Sequence, residues 1–114
     1  MFTAGVKNYA EGMVRYLDPE RKHVSTVLTR KDCTKIAGNY VKDLRVLGDR
    51  DLRDVVMVDN SPAAFSCQPE NGICIDTFTG SKEDRELEEL AEFLVKIARA
   101  TDVRPCIKER DIAY

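Results

Sequence analysis

The feature that most constrains this chain is Val55-Val56-Met57-Val58-Asp59-Asn60-Ser61-Pro62, an apolar run that ends in an Asp-Asn pair and a Ser-Pro. A short unbroken apolar run bounded by turn residues predicts a strand buried on both faces, as in a parallel sheet. Ser61 suits an N-cap and Pro62 the first helical position, so a helix is expected to start there. Asp59 and Asn60 would then stand at the carboxyl end of a strand, where open α/β sheets bind ligands. A carboxylate and an amide oxygen side by side are hard ligands suited to Mg²⁺, although an Asp after a strand also serves as a plain helix cap.

Other segments bear on that choice. Phe2-Thr3-Ala4-Gly5 precedes a helical pattern, which puts the Thr3 hydroxyl at a helix N-terminus. Such ends bind phosphate through free N–H groups and the macrodipole. Lys42 follows the glycine turn of Gly38-Asn39-Tyr40-Val41 and stands 17 residues before Asp59. A hydroxyl, an ammonium and an Asp-Asn pair are the groups a Mg²⁺-assisted phosphoryl-transfer site requires. Taken singly, Thr3 reads equally as an N-cap and Lys42 as a solvated lysine.

The hydrophobic pattern alternates between helix and strand. Val6, Tyr9, Ala10, Met13, Val14 and Leu17 recur at the helical period, which predicts a helix stopped by Asp18-Pro19. Residues 24–29 alternate as a strand, with Arg30 at its end facing the same crevice. Residues 41–47 read as a short helix closed by Gly48, residues 54–59 as the buried strand, and residues 73–75 as another strand. The longest predicted helix runs from Ser81 to about Ala100. Ser81-x-x-Asp84 approximates a capping box, and Leu87, Leu90, Ala91, Leu94, Ile97 and Ala98 form the stripe expected to be buried. This order implies an α/β fold, a doubly wound parallel sheet with helices on both faces.

Composition narrows the function classes. At 114 residues and 12.9 kDa the chain supports one domain with a moderate core. A net charge of −2 argues against direct nucleic-acid binding. Between Arg21 and Arg53, however, nine Lys and Arg face four Asp, which suits a phosphorylated partner or a basic solvated face. No apolar run approaches the ~20 residues of a membrane span, and no secretory signal is present. The four cysteines lack zinc-pair spacing. Cys67 and Cys74 bracket a turn that would allow pairing, while reduced thiols are the expectation in an intracellular protein.

Phe2 to Ala10, Arg30, Cys33, Gly38-Asn39-Tyr40-Val41-Lys42-Asp43-Leu44 and Val58-Asp59-Asn60-Ser61-Pro62 together closely resemble the haloacid-dehalogenase-type protein phosphatases. Within that superfamily they are similar to the family that dephosphorylates the C-terminal domain of RNA polymerase II. That family includes small CTD phosphatases, Dullard-like enzymes and a mitochondrial translocase subunit. The resemblance implies a Rossmann-like sheet and a Mg²⁺-dependent phosphoserine/phosphothreonine phosphatase acting through an aspartyl-phosphate. It assigns Thr3, Lys42 and Asp59 to catalysis, Asp59 and Asn60 to the metal, and Arg30, Tyr9 and Val6 to a peptide-substrate groove. Val6 and Tyr9 read equally well as the buried face of the first helix. The expected location is nuclear or cytoplasmic, with mitochondria as the alternative.

The resemblance also exposes a gap. These enzymes act through Asp-x-Asp-x-Thr/Val on a central strand, and no such motif follows an apolar run here. Asp49-Arg50-Asp51 lies in a charged turn and is expected to be a solvated loop. Residues 1–107 therefore read as the C-terminal part of a catalytic domain and residues 108–114 as a tail. The sheet would be incomplete without the nucleophile strand. A fragment, pairing with a partner segment or second copy, and a rearranged fold are the competing explanations, and the fragment is the expectation. The alternative function is a non-catalytic binding module like the translocase relative.

Overall fold

The computed structural model describes residues 1–113. Helix α1 (Lys7–Leu17) forms where the periodic pattern predicts it and ends at Asp18. Only Ala10 and Val14 of its stripe are buried, and Val6, Tyr9, Met13 and Leu17 are exposed. Asp18 also closes the loop that follows, its carboxylate accepting the backbone N–H groups of Lys22, His23 and Val24 at 2.7–3.0 Å. Of the stretch expected as a strand, residues 24–29, Val24 is thus held by a side chain, and Leu28 forms a single parallel bridge to Phe2, its N–H donating to Met1 O at 2.8 Å and its carbonyl accepting the Thr3 N–H at 3.0 Å.

The expected helix over 41–47 is replaced by a hairpin and one 3₁₀ turn. Strands β1 (Thr34–Ile36) and β2 (Asn39–Val41) pair antiparallel with Ile36 opposite Asn39. Their two-residue loop, Ala37-Gly38, takes positive φ at both positions (50° and 83°), the geometry that matches the twist of a tight hairpin. A 3₁₀ turn follows at Leu44–Leu47, capped by Asp43 and closed by Gly48 at φ 65°.

The buried strand forms as β3 (Met57–Asp59) and pairs in parallel with β4 (Gly72–Cys74), Asp59 opposite Cys74. Its side chains alternate between two cores. Val56 and Val58 join Ile73, Leu90, Ile97, Val103 and Ile107, while Met57 joins Leu44 and Phe65. Burial on both faces is the reason the run is apolar without interruption. The wider parallel sheet expected from the sequence is not present among the described residues, which form two separate two-stranded sheets. A groove of about 700 Å³ separates the Phe2–Leu28 bridge from β3, lined by Phe2, Leu28, Leu44, Leu47, Val55 and Met57 among others.

The helix expected at Ser61-Pro62 is a single 3₁₀ turn, Pro62–Phe65. The long helix is shorter than its pattern, spanning Glu86–Ile97 as α2. Ser81 and Asp84 turn their side chains onto the N–H groups of Glu83 and Glu86, and these local turns replace the expected capping box. Of the stripe, Leu90 and Ile97 are buried, Leu94 is half-buried, and Leu87, Ala91 and Ala98 are exposed. Helix α3 (Val103–Ala113) was not anticipated. Asp102 accepts the Arg104 N–H at 3.0 Å to start it, and Ile107 is 1% exposed in the core. Of the stretch read as a tail, Tyr114 lies outside the described residues.

Candidate functional site

The hairpin and the parallel pair bring Lys42 and Asp59 together. β2 delivers Lys42, whose N–H donates to Ala64 O at 2.8 Å and so ties it to the turn that follows Asp59-Asn60-Ser61. The Lys42 ammonium pairs with Asp59 Oδ2, and the two side chains are only 12% and 8% exposed. Asp59 Oδ1 accepts the Ser61 N–H at 3.0 Å, which fixes the carboxylate as an Asx turn. The ladder continues past β4, with Ile75 N–H donating to Asp59 O at 3.0 Å. It carries Thr77 to Asn60, whose Nδ2 donates to Thr77 Oγ1 at 3.1 Å.

These residues open onto a cleft of about 480 Å³ lined by Lys42, Asp59 and Asn60 and, on its outer side, by Asp76, Phe78 and Glu86 among others. Asn60 is exposed there, while Lys42 and Asp59 are recessed. The cleft is thus a buried charge pair with an exposed amide at the carboxyl end of a strand.

Thr3 is not on that lining. It follows the Phe2 bridge, its N–H donating to Leu28 O and its hydroxyl accepting the Gly5 N–H, each at 3.0 Å. Cys33 lies between this segment and the next, with Sγ 3.8 Å from Thr3 O and 3.7 Å from Thr29 O. Burial pushes the Cys33 thiol pKa up, opposed by the positive charge of Lys42.

Arg30 holds the same Thr3–Gly5 segment. Its N–H donates to Gly5 O at 3.0 Å, its Nε donates to Ala4 O at 2.7 Å, and its guanidinium lies 4.9 Å from the Tyr40 ring centre. The Tyr9 ring packs over Gly5, where an added Cβ would come within 3.2 Å of it. Tyr9 and Val6 are 64% and 50% exposed, so they line an open surface and not a helix core.

Asp59 and Asn60 are among the oxygen donors this cleft offers a magnesium ion. Asp59 already serves Lys42 and Ser61, and Asn60, which lines the cleft, donates its amide N–H to Thr77, so its amide oxygen is the hard donor not used in that bond. No cluster of three or more His, Cys, Asp or Glu suited to a metal occurs among the described residues. Magnesium takes about six oxygen ligands, many of them water or phosphate. These residues fit as contributors of one or two of those ligands, not as a complete cage.

Sequence reasoning missed Thr77 and Cys33 as neighbours of the site. Thr77 had no signal of its own, because only the register of the parallel ladder carries it to Asn60. Cys33 stood in the matched motif, but its place between Thr3 and Thr29 depends on the 3₁₀ turn Arg30–Asp32.

Comparison with known proteins identifies the family. The family model for NLI interacting factor-like phosphatases matches residues 1–104. "CTD small phosphatase-like protein 2" of Dictyostelium discoideum is 42% identical over 114 residues, covering 100% of this chain and 20% of that protein. "Mitochondrial import inner membrane translocase subunit TIM50" of Phytophthora infestans is 42% identical over 109 residues, covering 90% of this chain and 26% of its own length. The chain therefore spans a fifth to a quarter of these relatives. The fold is similar to that of the fission yeast RNA polymerase II CTD phosphatase Fcp1 bound to beryllium fluoride, with a TM-score of 0.55 and 24% identity over 97% of this chain and 33% of that one. With the Lys42–Asp59 pair and its adjoining Asn60 at a strand end, and a family model matched over nearly its whole length, the chain belongs to the NLI interacting factor-like phosphatases.

Proposed function

We propose that this chain is the phosphate-positioning part of a Mg²⁺-dependent phosphoserine/phosphothreonine protein phosphatase. Its nucleophile is an Asp-x-Asp strand outside these 114 residues, and its substrates are phosphorylated proteins such as the polymerase tail, in the nucleus or cytoplasm. The observation that carries this reading is the recessed Lys42–Asp59 pair beside an exposed Asn60. A structural ion pair has no need of a cleft, whereas a phosphoryl-transfer site requires a positive charge held in place before the substrate arrives.

Each residue has a role in this scheme. Lys42, oriented by Asp59, neutralises the negative charge on the attacking carboxylate and the phosphoryl oxygens. Asp59 fixes that ammonium and would help hold magnesium when the ion is bound. Asn60 offers its amide oxygen as a ligand, held in place by Thr77. When bound, magnesium supplies charge neutralisation at a phosphoryl oxygen. The Thr3 hydroxyl and the N–H groups that follow it offer hydrogen bonds to another oxygen. Attack of the strand-borne Asp on phosphorus breaks the ester P–O bond, the serine or threonine oxygen leaves with a proton from the motif's second Asp, and water then hydrolyses the aspartyl-phosphate to inorganic phosphate in an easier second step. Arg30 and Tyr9, on the surface framing the Thr3–Gly5 segment, meet the peptide.

The groove between Phe2 and β3 supports the same reading. Phe2 pairs on one side with Leu28, and β3 on one side with β4, so each leaves an open edge on a shared groove. An extended strand carrying Asp-x-Asp would complete a parallel Rossmann-like sheet there and put its carboxylates beside Lys42. Hydrogen exchange tests it. A peptide with an apolar run followed by Asp-x-Asp-x-Thr should slow exchange at the amides of Val56 and Val58. A scrambled peptide should not, and equal exchange with both would remove the strand from the scheme.

The resemblance to the import translocase subunit keeps a binding module as the second reading. A binding module has no use for a paired lysine at the phosphate position, so dependence of peptide affinity on a phosphate group separates the two.

A further inference from the structure

A second groove lies between α2 and α3 and shares no lining residue with the Lys42–Asp59 cleft. It encloses about 480 Å³. Half-buried Phe93 and Cys106 and buried Ile97 form its floor, and all three belong to or pack on the main core. Lys96, Arg99 and Arg110 stand around it, with Glu109 its one acidic lining residue among those described. The Arg110 guanidinium lies 5.2 Å from the Phe93 ring centre, which holds one cation over the apolar floor.

Arg45, Arg53, Arg85 and Arg104 each pair with a neighbouring carboxylate, whereas Lys96 and Arg99 take part in no ion pair among the described residues. This local positive charge also opposes the net −2 of the whole chain. The Lys42–Asp59 cleft is lined by four further carboxylates, Asp76, Asp84, Glu86 and Glu88, whereas Glu109 is the one carboxylate on this groove among the described residues.

We propose that the α2–α3 groove is a docking site for an acidic peptide segment. Carboxylates of that segment would pair with Lys96 and Arg99, and an apolar side chain between them would rest on Phe93. Charge complementarity and an apolar floor recessed between helices favour a peptide over an anionic bilayer, which presents a plane of headgroups. The inference is independent of the phosphatase reading, because it uses none of the residues at Lys42 and Asp59.

Fluorescence anisotropy of the full chain tests it with a dye-labelled peptide of alternating Glu and Asp around one Leu. The control peptide has Lys at each acidic position. The acidic peptide should bind and the basic one should not, and binding should weaken as salt is raised from about 50 mM to about 500 mM. The variant Lys96→Glu/Arg99→Glu should weaken binding about tenfold or more, whereas Lys96→Arg should retain it. Both substituted side chains are exposed, and an unchanged melting temperature verifies that the fold is kept. Failure of the acidic peptide to bind, unchanged affinity in the double variant, or tighter binding to phosphatidylserine vesicles than to the peptide would each overturn the proposal.

Discussion

Removing Lys42 should destabilise the fold as well as the site. The Asp59 carboxylate is 8% exposed and keeps only the Ser61 N–H once the ammonium is gone. Breaking one partner of a fully buried pair costs ~3–5 kcal/mol. The residual exposure here admits some water, so Lys42→Met is expected to lose about 2–3 kcal/mol, near the lower edge of that range. Asp59→Leu alone strands the ammonium and should cost a similar amount. The double variant Lys42→Met/Asp59→Leu leaves neither charge behind and should fall well short of the summed losses, with a coupling of about 2 kcal/mol. Urea unfolding of the parent and the three variants measures this, with the slope of each transition unchanged. A coupling below about 0.5 kcal/mol, the size of an exposed ion pair, would refute the claim that this pair is recessed and mutually dependent.

Other predictions follow from packing and charge. Gly72 is buried where any Cβ would overlap the Phe65 ring, so Gly72→Ala should lose ~1–3 kcal/mol by overpacking, and Phe65→Leu in the same chain should recover part of it; thermal unfolding reads both. Ile107→Ala should cost ~2–5 kcal/mol in urea, because the side chain is 1% exposed; a loss under about 0.5 kcal/mol would mean α3 is not part of the core. Arg45, above all, holds the Asp43 carboxyl well below its usual range, with Gln68 also donating to it. A lowered acid stabilises the fold at pH values above 3.8 and loses that contribution as the pH falls toward the folded-state value. Asp43→Asn should therefore be less stable at neutral pH and show a flatter acid-unfolding curve; parallel curves would exclude this source of acid sensitivity.

What could be read from the sequence was what local chemistry dictates. The apolar run ending in Asp59, the periodic helix after Val6, and Gly48 as a stop were legible because each depends on its immediate neighbours. The Lys42–Asp59 contact was legible only through a motif resemblance, since no local rule joins residues 17 apart in a strand-turn order. The hairpin at 34–41 was hidden because Ala37 takes a positive φ, and alanine gives no sign of that. Asp18 looked like a helix stop, and it also caps the loop after α1 by accepting three backbone N–H groups, which no local pattern announces. In α3 the dense charges masked Ile107, although Asp102 and Pro105 were available as start signals.

In the proposed scheme these residues position phosphate for a nucleophile they do not contain. The direct measurement is Mg²⁺-dependent hydrolysis of a phosphoserine peptide by two proteins. One is the 114-residue chain, and the other is the same chain joined to the upstream segment of its Dictyostelium relative. The first should show no turnover and the second should turn over, with activity abolished by Lys42→Met and by Asp59→Asn at temperatures where both variants remain folded. Mg²⁺-dependent turnover by the unextended chain would contradict the scheme, as would an extended, folded protein that binds the peptide and leaves the phosphate in place.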